Sequence, residues 1–283
     1  MKKWNLVIDV AKCFNCNCCT LAVHDEYSGN SFPGYTEEMP RLGHRWFEIR
    51  QREQGEFPVV DVAYLPVTCN HCDEPSCMKG APEGAINKRA DGIVIFDPVH
   101  SKGHEELVKS CPYGMIWWNE EKQLPQTWPF DAHLLDQGWK ETRASQVCPT
   151  GAIRTVHAED EEMQRRAREE DLQVLHPEFG NKPRIYYKNI DRYFKCFVAG
   201  TLEGTLEGTV ECIQGARVVL FRDTERIAET ESDTFGDFRF RGLEAKGTSY
   251  RIEISDPRFA SNSVPFTLTK SRYLGAIALE PKA

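Results

Sequence analysis

The chain has 283 residues, a formal net charge of −8 and an apolar content of 40%. This length allows one to three domains with room for a hydrophobic core. The acidic balance and the absence of Lys/Arg runs exclude a nucleic-acid-binding surface. No apolar run approaches the ~18–20 residues of a membrane-spanning helix, and the segment after Met1-Lys2-Lys3 is too short for a signal peptide. We therefore expect a soluble, cytoplasmic protein.

The cysteines concentrate in the first half of the chain. Nine of the eleven lie between Cys13 and Cys148, and only Cys196 and Cys212 follow. A disulfide scaffold would need an oxidising compartment and is typical of smaller chains. So many cysteines in a cytosolic protein indicate bound metal.

Two groups of three cysteines have the spacing of an iron–sulfur site. A short loop with this spacing can place three thiolates on one 4Fe–4S cubane, and the fourth ligand then comes from a remote Cys-Pro pair. Two such pairs occur, Cys111-Pro112 and Cys148-Pro149. Zinc sites instead favour two separated Cys-x2-Cys pairs, which fits this pattern poorly. The eight cysteines of the predicted sites are Cys13, Cys16, Cys19, Cys69, Cys72, Cys77, Cys111 and Cys148.

Cys18 is ambiguous because it adjoins Cys19. The regular x2 spacing favours Cys19 as the ligand and makes Cys18 a packed thiol. Cys18 as the ligand in place of Cys19 stays open.

Three similar segments follow one another in this part of the chain, 81–86, 111–116 and 148–153. In each, a proline ends a turn, a glycine permits a bend and apolar residues begin a strand. Ala85–Arg89 and Gly92–Phe96 flank a turn and predict a β-hairpin. Residues 158–173 predict an exposed charged helix, and residues 176–197, rich in proline and aromatics, predict an extended arm.

From residue 200 the pattern changes to short runs that alternate polar with apolar residues and are separated by turns. This pattern predicts a small antiparallel β-sandwich of the immunoglobulin or prealbumin type. The fold class is then α+β, with a ferredoxin-like double module at 1–157, a helix and arm at 158–199 and the sandwich at 200–283. The sandwich segment contains no catalytic cluster, so we interpret it as a structural or interaction domain.

The cysteine motifs resemble those of the four-cluster iron–sulfur subunits of dimethyl-sulfoxide-reductase-family molybdopterin enzymes. In that family the first and fourth motifs exchange their fourth ligands, as do the second and third. The resemblance implies two 4Fe–4S clusters here, one on Cys13, Cys16, Cys19 and Cys148, the other on Cys69, Cys72, Cys77 and Cys111. Further segments, such as Cys69-Asn70-His71-Cys72 and Lys182–Asn189, resemble the small subunits of the pyrogallol–phloroglucinol transhydroxylase and resorcinol hydroxylase group.

Two of the family's four ligand sets are missing altogether. The third set would need cysteines where the chain has Ala81, Ser101, His104 and Leu107. The fourth would need them at Val23, Trp128, Asp131 and Ala144. Large side chains such as Trp128, Phe130 and Leu107 are expected to fill the vacated volume. His104 and Asp131 could instead be non-cysteine ligands, although neither has partners at the remaining positions.

The chain shows no catalytic residue set of its own, so we expect no active site in it. The resemblance implies a large partner subunit that holds molybdenum with two molybdopterin guanine dinucleotides and acts on phenolic rings. The chain would be its electron-transfer subunit. Two alternatives remain: an electron-exporting subunit of a resorcinol-type hydroxylase, and an interaction subunit whose clusters act as structural staples. The missing cluster between the two that remain favours the redox-neutral transhydroxylase.

Overall fold

The computed structural model describes residues 1–282, and the chain forms two compact units. The first comprises residues 1–51 and 64–190, and the second comprises residues 52–63 together with the chain from Asp191 onward. The division into segments 1–157, 158–199 and 200–283 stays a prediction. No helix within residues 1–282 is long and apolar enough to cross a membrane.

Ten strands and four α-helices lie before residue 191. The strands are β1 (Lys3–Asp9), β2 (Phe47–Glu56), β3 (Val59–Thr68), β4 (Ile86–Lys88), β5 (Val94–Phe96), β6 (Trp117–Asn119), β7 (Leu124–Gln126), β8 (Ile153–Ala158), β9 (Gln173–Val174) and β10 (Ile185–Lys188). The helices are α1 (Cys18–Tyr27), α2 (Ala132–Asp136), α3 (Arg143–Gln146) and α4 (Asp160–Glu169). Short 3-10 helices cover Ser76–Met78, Glu105–Ser110 and Pro177–Phe179.

The central sheet of the first unit has the order β8-β1-β10-β9. Strand β1 is buried along its middle, and Leu6 and Ile8 are fully inaccessible. Strands β8 and β10 pair with it on its two edges. It pairs antiparallel with β8 and parallel with β10. The arm expected over residues 176–197 therefore contributes an internal strand of this sheet.

Two of the local predictions for this unit are confirmed. The hairpin forms as β4–β5, with Ile86 opposite Phe96 and Gly92 in the left-handed region at φ 90°. A charged helix forms as α4, where Arg166 pairs with Glu162 one turn earlier. Strands β2–β3 and β6–β7 form two further two-stranded sheets.

The second unit contains helix α5 (Asp191–Phe194) and a β-sandwich. Its strands are β11 (Cys196–Leu206), β12 (Thr209–Cys212), β13 (Arg217–Arg222), β14 (Glu225–Glu231), β15 (Asp237–Leu243), β16 (Thr248–Ser255), β17 (Asn262–Leu268) and β18 (Arg272–Leu279). One sheet has the order β14-β13-β16-β17, and in the other β11 pairs with β12, β15 and β18. Residues from both sheets, among them Val198, Leu220 and Ile252, share one buried core.

The sandwich is not purely antiparallel, which corrects the expected fold class in one respect. Strand β18 runs parallel to β11, with Thr201 opposite Ala276. The long strand β11 allows this because it pairs with β15 near its start and with β12 near its end. Turn spacing in the sequence locates strands but cannot show which edge the last strand joins.

Candidate functional site

The first cysteine loop lies at the end of the central strand. It follows β1 and runs into α1, which begins at Cys18. Two asparagines between the cysteines, Asn15 and Asn17, adopt left-handed conformations at φ 64° and 60°. Asparagine tolerates this region better than most residues, so the Cys-rich loop can turn back on itself. The side-chain amide of Asn17 also donates from Nδ2 to the backbone carbonyl oxygen of Asn15 at 3.0 Å.

Strand pairing brings the remote Cys148 to the same place. Ile8 of β1 lies opposite Ile153 of β8, and the Asp9 amide donates to the Ala152 carbonyl at 2.8 Å. The loop after β1 and the loop before β8 are therefore neighbours at one end of the sheet.

The thiols of this first site lie close enough to shift one another's pKa values. Cys19 is buried, and burial raises its pKa to about 12, with smaller contributions from the nearby Cys13 and Cys16. Cys18 is also part of the group, because its pKa is raised first by a hydrogen bond with Cys16, then by burial, and also by the charge of Cys148. Cys18 is thus a neighbour of the site rather than a remote packed thiol.

The second site is a pocket lined by four cysteines. Cys69 follows β3, Cys77 lies in the 3-10 helix Ser76–Met78, and Cys111 follows the 3-10 helix Glu105–Ser110. Together with Cys72 they line one pocket. Its remaining wall is mainly apolar, from residues such as Val94, Phe96 and Ile116.

A strand-like segment from far along the chain supports the second cysteine loop. The Arg184 amide donates to the Asn70 carbonyl at 2.9 Å, and the Asp73 amide donates to the Lys182 carbonyl at 2.9 Å. The Arg184 guanidinium donates to the Asp73 carboxylate, with Nε 2.7 Å from Oδ1. Burial by itself would raise the pKa of Asp73, but hydrogen bonds from Arg184 and Lys88 lower it below its usual range. The loop is therefore fixed by backbone bonds and by buried, paired charges.

Lys88 completes this support from the hairpin. Its Nζ donates to the His71 carbonyl at 2.8 Å and to the Gly92 carbonyl at 2.7 Å, and lies 3.0 Å from an Asp73 oxygen. Sequence reasoning missed Lys88, Asp73 and Arg184. Arg184 lies in the segment Lys182–Asn189, which resembles the transhydroxylase group. That resemblance was the sign in the sequence that this segment matters to the site.

The thiols of the second site fit an iron–sulfur group. Burial raises the pKa of Cys69 to about 11 and that of Cys77 to about 12, with further contributions from neighbouring cysteines. Four thiolates cannot share a poorly hydrated pocket unless positive charge compensates them. Bound iron would supply that charge, and a thiol that coordinates it would be deprotonated outright.

A buried polar side chain without a partner also faces this pocket. Asn70 is 2% exposed and lines the pocket, yet neither its Nδ2 nor its Oδ1 has a hydrogen-bond partner within residues 1–282. Such groups are rare and call for an explanation. A sulfur-rich group held by the four thiolates would provide one.

The positions of the missing third set are filled by apolar packing. Leu107 is buried in a cluster with Ile86, Val94 and Phe96, and Ala81 packs against it. Ser101 is buried and donates to the Asp97 carbonyl at 2.6 Å. The His104 ring bonds Glu106 at 2.7 Å on the exposed side. Within the part of the chain that the structure describes, His104 therefore has no neighbouring ligand positions.

The positions of the missing fourth set form a packed core around a buried carboxylate. Asp131 Oδ1 accepts from Tyr27 Oη and from Trp128 Nε1, each at 2.8 Å, and its Oδ2 accepts from the Arg143 amide at 2.7 Å. Trp128 stacks on Phe130 with ring centroids 4.8 Å apart. Trp128, Phe130, Asp131, Ala144 and Val23 are all essentially inaccessible. The expected filling by Trp128, Phe130 and Leu107 is confirmed, and the carboxylate of Asp131 is occupied by its three donors.

This filled core contacts the second cysteine loop and the helix that follows the first. His71, between Cys69 and Cys72, makes edge contacts with Trp128 and Phe130. Its Nδ1 accepts from the Val94 amide at 3.0 Å, so the proton sits on Nε2 beside those aromatic rings. At the other end, Tyr27 belongs to α1, which begins at Cys18.

The comparisons with known proteins agree with this arrangement. A family described as 4Fe-4S dicluster domains matches residues 60–158. The pyrogallol hydroxytransferase small subunit of Pelobacter acidigallici is 41% identical over 285 residues, which cover 99% of this chain and 100% of that protein. One chain of the tetrathionate reductase of Salmonella typhimurium is 31% identical over 197 residues, covering 68% of this chain and 74% of that protein.

Likeness to solved structures is weaker. The 5-hydroxyisourate hydrolase of Klebsiella pneumoniae covers 31% of this chain and 92% of its own at 16% identity, with a TM-score of 0.26. That score is too low to assign the sandwich to a named fold. The sequence relationship extends over the whole chain. The chain therefore belongs to the family of the pyrogallol hydroxytransferase small subunit, among the iron–sulfur subunits of molybdenum enzymes.

Proposed function

We propose that this chain is the electron-transfer subunit of a molybdenum enzyme of the transhydroxylase type, which acts on phenolic rings. The observation that carries the proposal is the apolar pocket lined by Cys69, Cys72, Cys77 and Cys111. These four thiolates would hold one 4Fe–4S cluster, which takes up and gives back one electron at a time. The supporting loop, fixed by Arg184 and Lys88, would keep the ligands in position through redox cycling.

Cys13, Cys16, Cys19 and Cys148 would hold the second 4Fe–4S cluster. Their loops are neighbours at the end of the central sheet, as the β1–β8 register requires. The site is more open than the other, because Cys16 is exposed while Cys19 is buried. Cys18 would stay a thiol beside the cluster.

Catalysis would take place in a large partner subunit, with molybdenum bound by two molybdopterin guanine dinucleotides. The full-length identity to a hydroxytransferase small subunit supports this assignment. We place the complex in the cytoplasm, as the sequence suggests. The partner would be a soluble chain, forming with this one a heterodimer or a multiple of it.

The filled core favours hydroxyl transfer over net hydroxylation. Trp128, Phe130 and Asp131 form a filled core that contacts the second cysteine loop through His71 and helix α1 through Tyr27. Transfer of a hydroxyl group between two phenols is redox-neutral overall and needs no long electron path. A resorcinol-type hydroxylase must export electrons, which makes it the second candidate.

The test is to purify the chain anaerobically with its natural partner and measure iron, zinc and acid-labile sulfide. We expect about eight irons per chain by the four-per-cubane rule. Turnover with pyrogallol-type substrates should then proceed without an added electron acceptor. Acceptor consumption in proportion to hydroxylated product would instead identify the hydroxylase. Clusters that the phenolic substrates never reduce would indicate structural staples, and zinc in place of iron would overturn the proposal.

A further inference from the structure

The side chain of Asn70 ends in a carboxamide that is buried and unpartnered, and Asn70 lines the second pocket. The side chain lines the pocket, is 2% exposed and makes no hydrogen bond within residues 1–282. A carboxamide offers two N–H donors and a carbonyl acceptor. Leaving it buried and unpaired is destabilising, so an apolar residue would be the better choice unless the amide has a role.

The backbone around Asn70 holds this side chain at the pocket. Its carbonyl accepts from the Arg184 amide at 2.9 Å, and Lys88 binds the carbonyl of the next residue, His71, at 2.8 Å. The backbone next to the side chain is therefore held in place, and Asn70 lies in the chain between Cys69 and Cys72, with which it lines the pocket. The second carboxamide at the pocket, that of Asn181, differs because its Nδ2 donates to the Ser76 hydroxyl at 3.3 Å.

We propose that Asn70 donates a hydrogen bond from Nδ2 to a sulfur atom of the cluster held by Cys69, Cys72, Cys77 and Cys111. Asn70 would then be a residue that sets the reduction potential of that cluster. Reduction adds negative charge to the cluster, and an N–H donor aimed at sulfur stabilises the reduced form more than the oxidised form. The inference rests on the proposed function, because it requires a cluster at this pocket.

The direction of the effect follows from the charge. Removing the donor should make the reduced form less stable, so the midpoint potential falls. A hydrogen bond to a charged group is stronger than one to a neutral group, so losing it should change the reduction equilibrium about tenfold. At a fixed applied potential near the midpoint, the ratio of reduced to oxidised cluster should fall about tenfold, equivalent to about 59 mV for one electron.

The experiment is an anaerobic redox titration of the purified complex, followed by electron paramagnetic resonance. Asn70→Leu removes both donor and acceptor at similar size, and Asn70→Asp removes the donor while adding negative charge. Asn87→Leu is the matched control, since Asn87 is exposed on β4 and donates only to the Gly84 carbonyl at 3.0 Å. Iron and sulfide are measured on every preparation.

We expect both Asn70 variants to lower the potential of one cluster, Asn70→Asp more than Asn70→Leu. The other cluster and the Asn87→Leu control should keep the wild-type potential. Exchange into D₂O should also alter the wild-type signal of that cluster through a deuteron coupling absent in Asn70→Leu. Full iron with unchanged potentials and unchanged deuteron coupling would overturn the role of Asn70. Wild-type protein with only half the expected iron would overturn the cluster assignment itself, which separates the two failures.

Discussion

The buried carboxylate of Asp131 should be a major determinant of the stability of the first unit. Its three donors, the Tyr27 hydroxyl, the Trp128 indole N–H and the Arg143 amide, are 2.7–2.8 Å away. In Asp131→Ala all three are left buried without an acceptor. Each unsatisfied donor costs about 1–3 kcal/mol.

The backbone at this position adds to the cost. Asp131 has φ 54°, in the left-handed region, where alanine costs roughly 1–2 kcal/mol and asparagine less. Because water can enter the space left by the side chain and bond some of the three donors, we expect a net loss of about 3–5 kcal/mol for Asp131→Ala. For a unit of this size, that loss lowers the melting temperature by roughly 6–20 °C.

Asp131→Asn provides a graded comparison. Its Oδ1 can still accept from Tyr27 and Trp128, but its Nδ2 would face the Arg143 N–H, so one bond is lost and the cost is about 1–3 kcal/mol. Asp25 is the control, since its side chain is 82% exposed. Its carboxylate makes a long surface ion pair with Arg143, with 3.7 Å between Oδ2 and Nη2. Such pairs contribute about 0–1 kcal/mol.

The assay is thermal unfolding of the anaerobically purified, iron-loaded protein, followed by circular dichroism. The expected order of melting temperatures is wild type and Asp25→Ala together, then Asp131→Asn, then Asp131→Ala. If Asp131→Ala melted with Asp25→Ala at equal iron content, Asp131 would not be the acceptor that holds the filled core together.

Further predictions concern the cysteines, the supporting arginine and electron flow. Replacing Cys13 or Cys148 by serine should remove about four irons and abolish the same spectroscopic signal, by the four-per-cubane rule. Replacing Cys111 by serine should abolish the other signal. Loss of the Cys111-dependent signal in Cys148→Ser would refute the pairing. Cys19→Ser should lose iron and Cys18→Ser should retain it, and the reverse would exchange their roles. Arg184→Ala should cost about 1–3 kcal/mol and speed iron loss to a chelator, because Asp73 loses its bidentate partner and is left with Lys88, while Lys270→Ala, in an exposed pair with Glu56, should change neither. In rapid-freeze experiments with phenolic substrate, the two clusters should not both be reduced within one turnover, since the buried Trp128 and Asp131 stand where the resemblance would require ligands of a further cluster; fast reduction of both would contradict this.

The sequence by itself determined the local features of the iron–sulfur sites. Cysteines three residues apart can reach one cluster because a short loop can wrap around it, so Cys69 and Cys72 are recognisable without any structure. The hairpin at Gly92 and the alternating strands of the sandwich are likewise local, because turn residues and a period of two depend only on neighbouring positions. The replacement of whole ligand sets was visible only through the resemblance to the four-cluster subunits.

Only the tertiary structure decided how distant parts of the chain support these sites. Arg184 lies more than 100 residues from Asp73, yet it binds the loop of the second site because β10 pairs in parallel with β1. Neither the register of a parallel pair nor the joining of β18 to β11 can be derived from the residues of one strand, since main-chain hydrogen bonds form alike with any sequence. Likewise the three donors that surround Asp131 come from separate segments, and their convergence on one buried carboxylate depends on packing, which is set by the whole core at once.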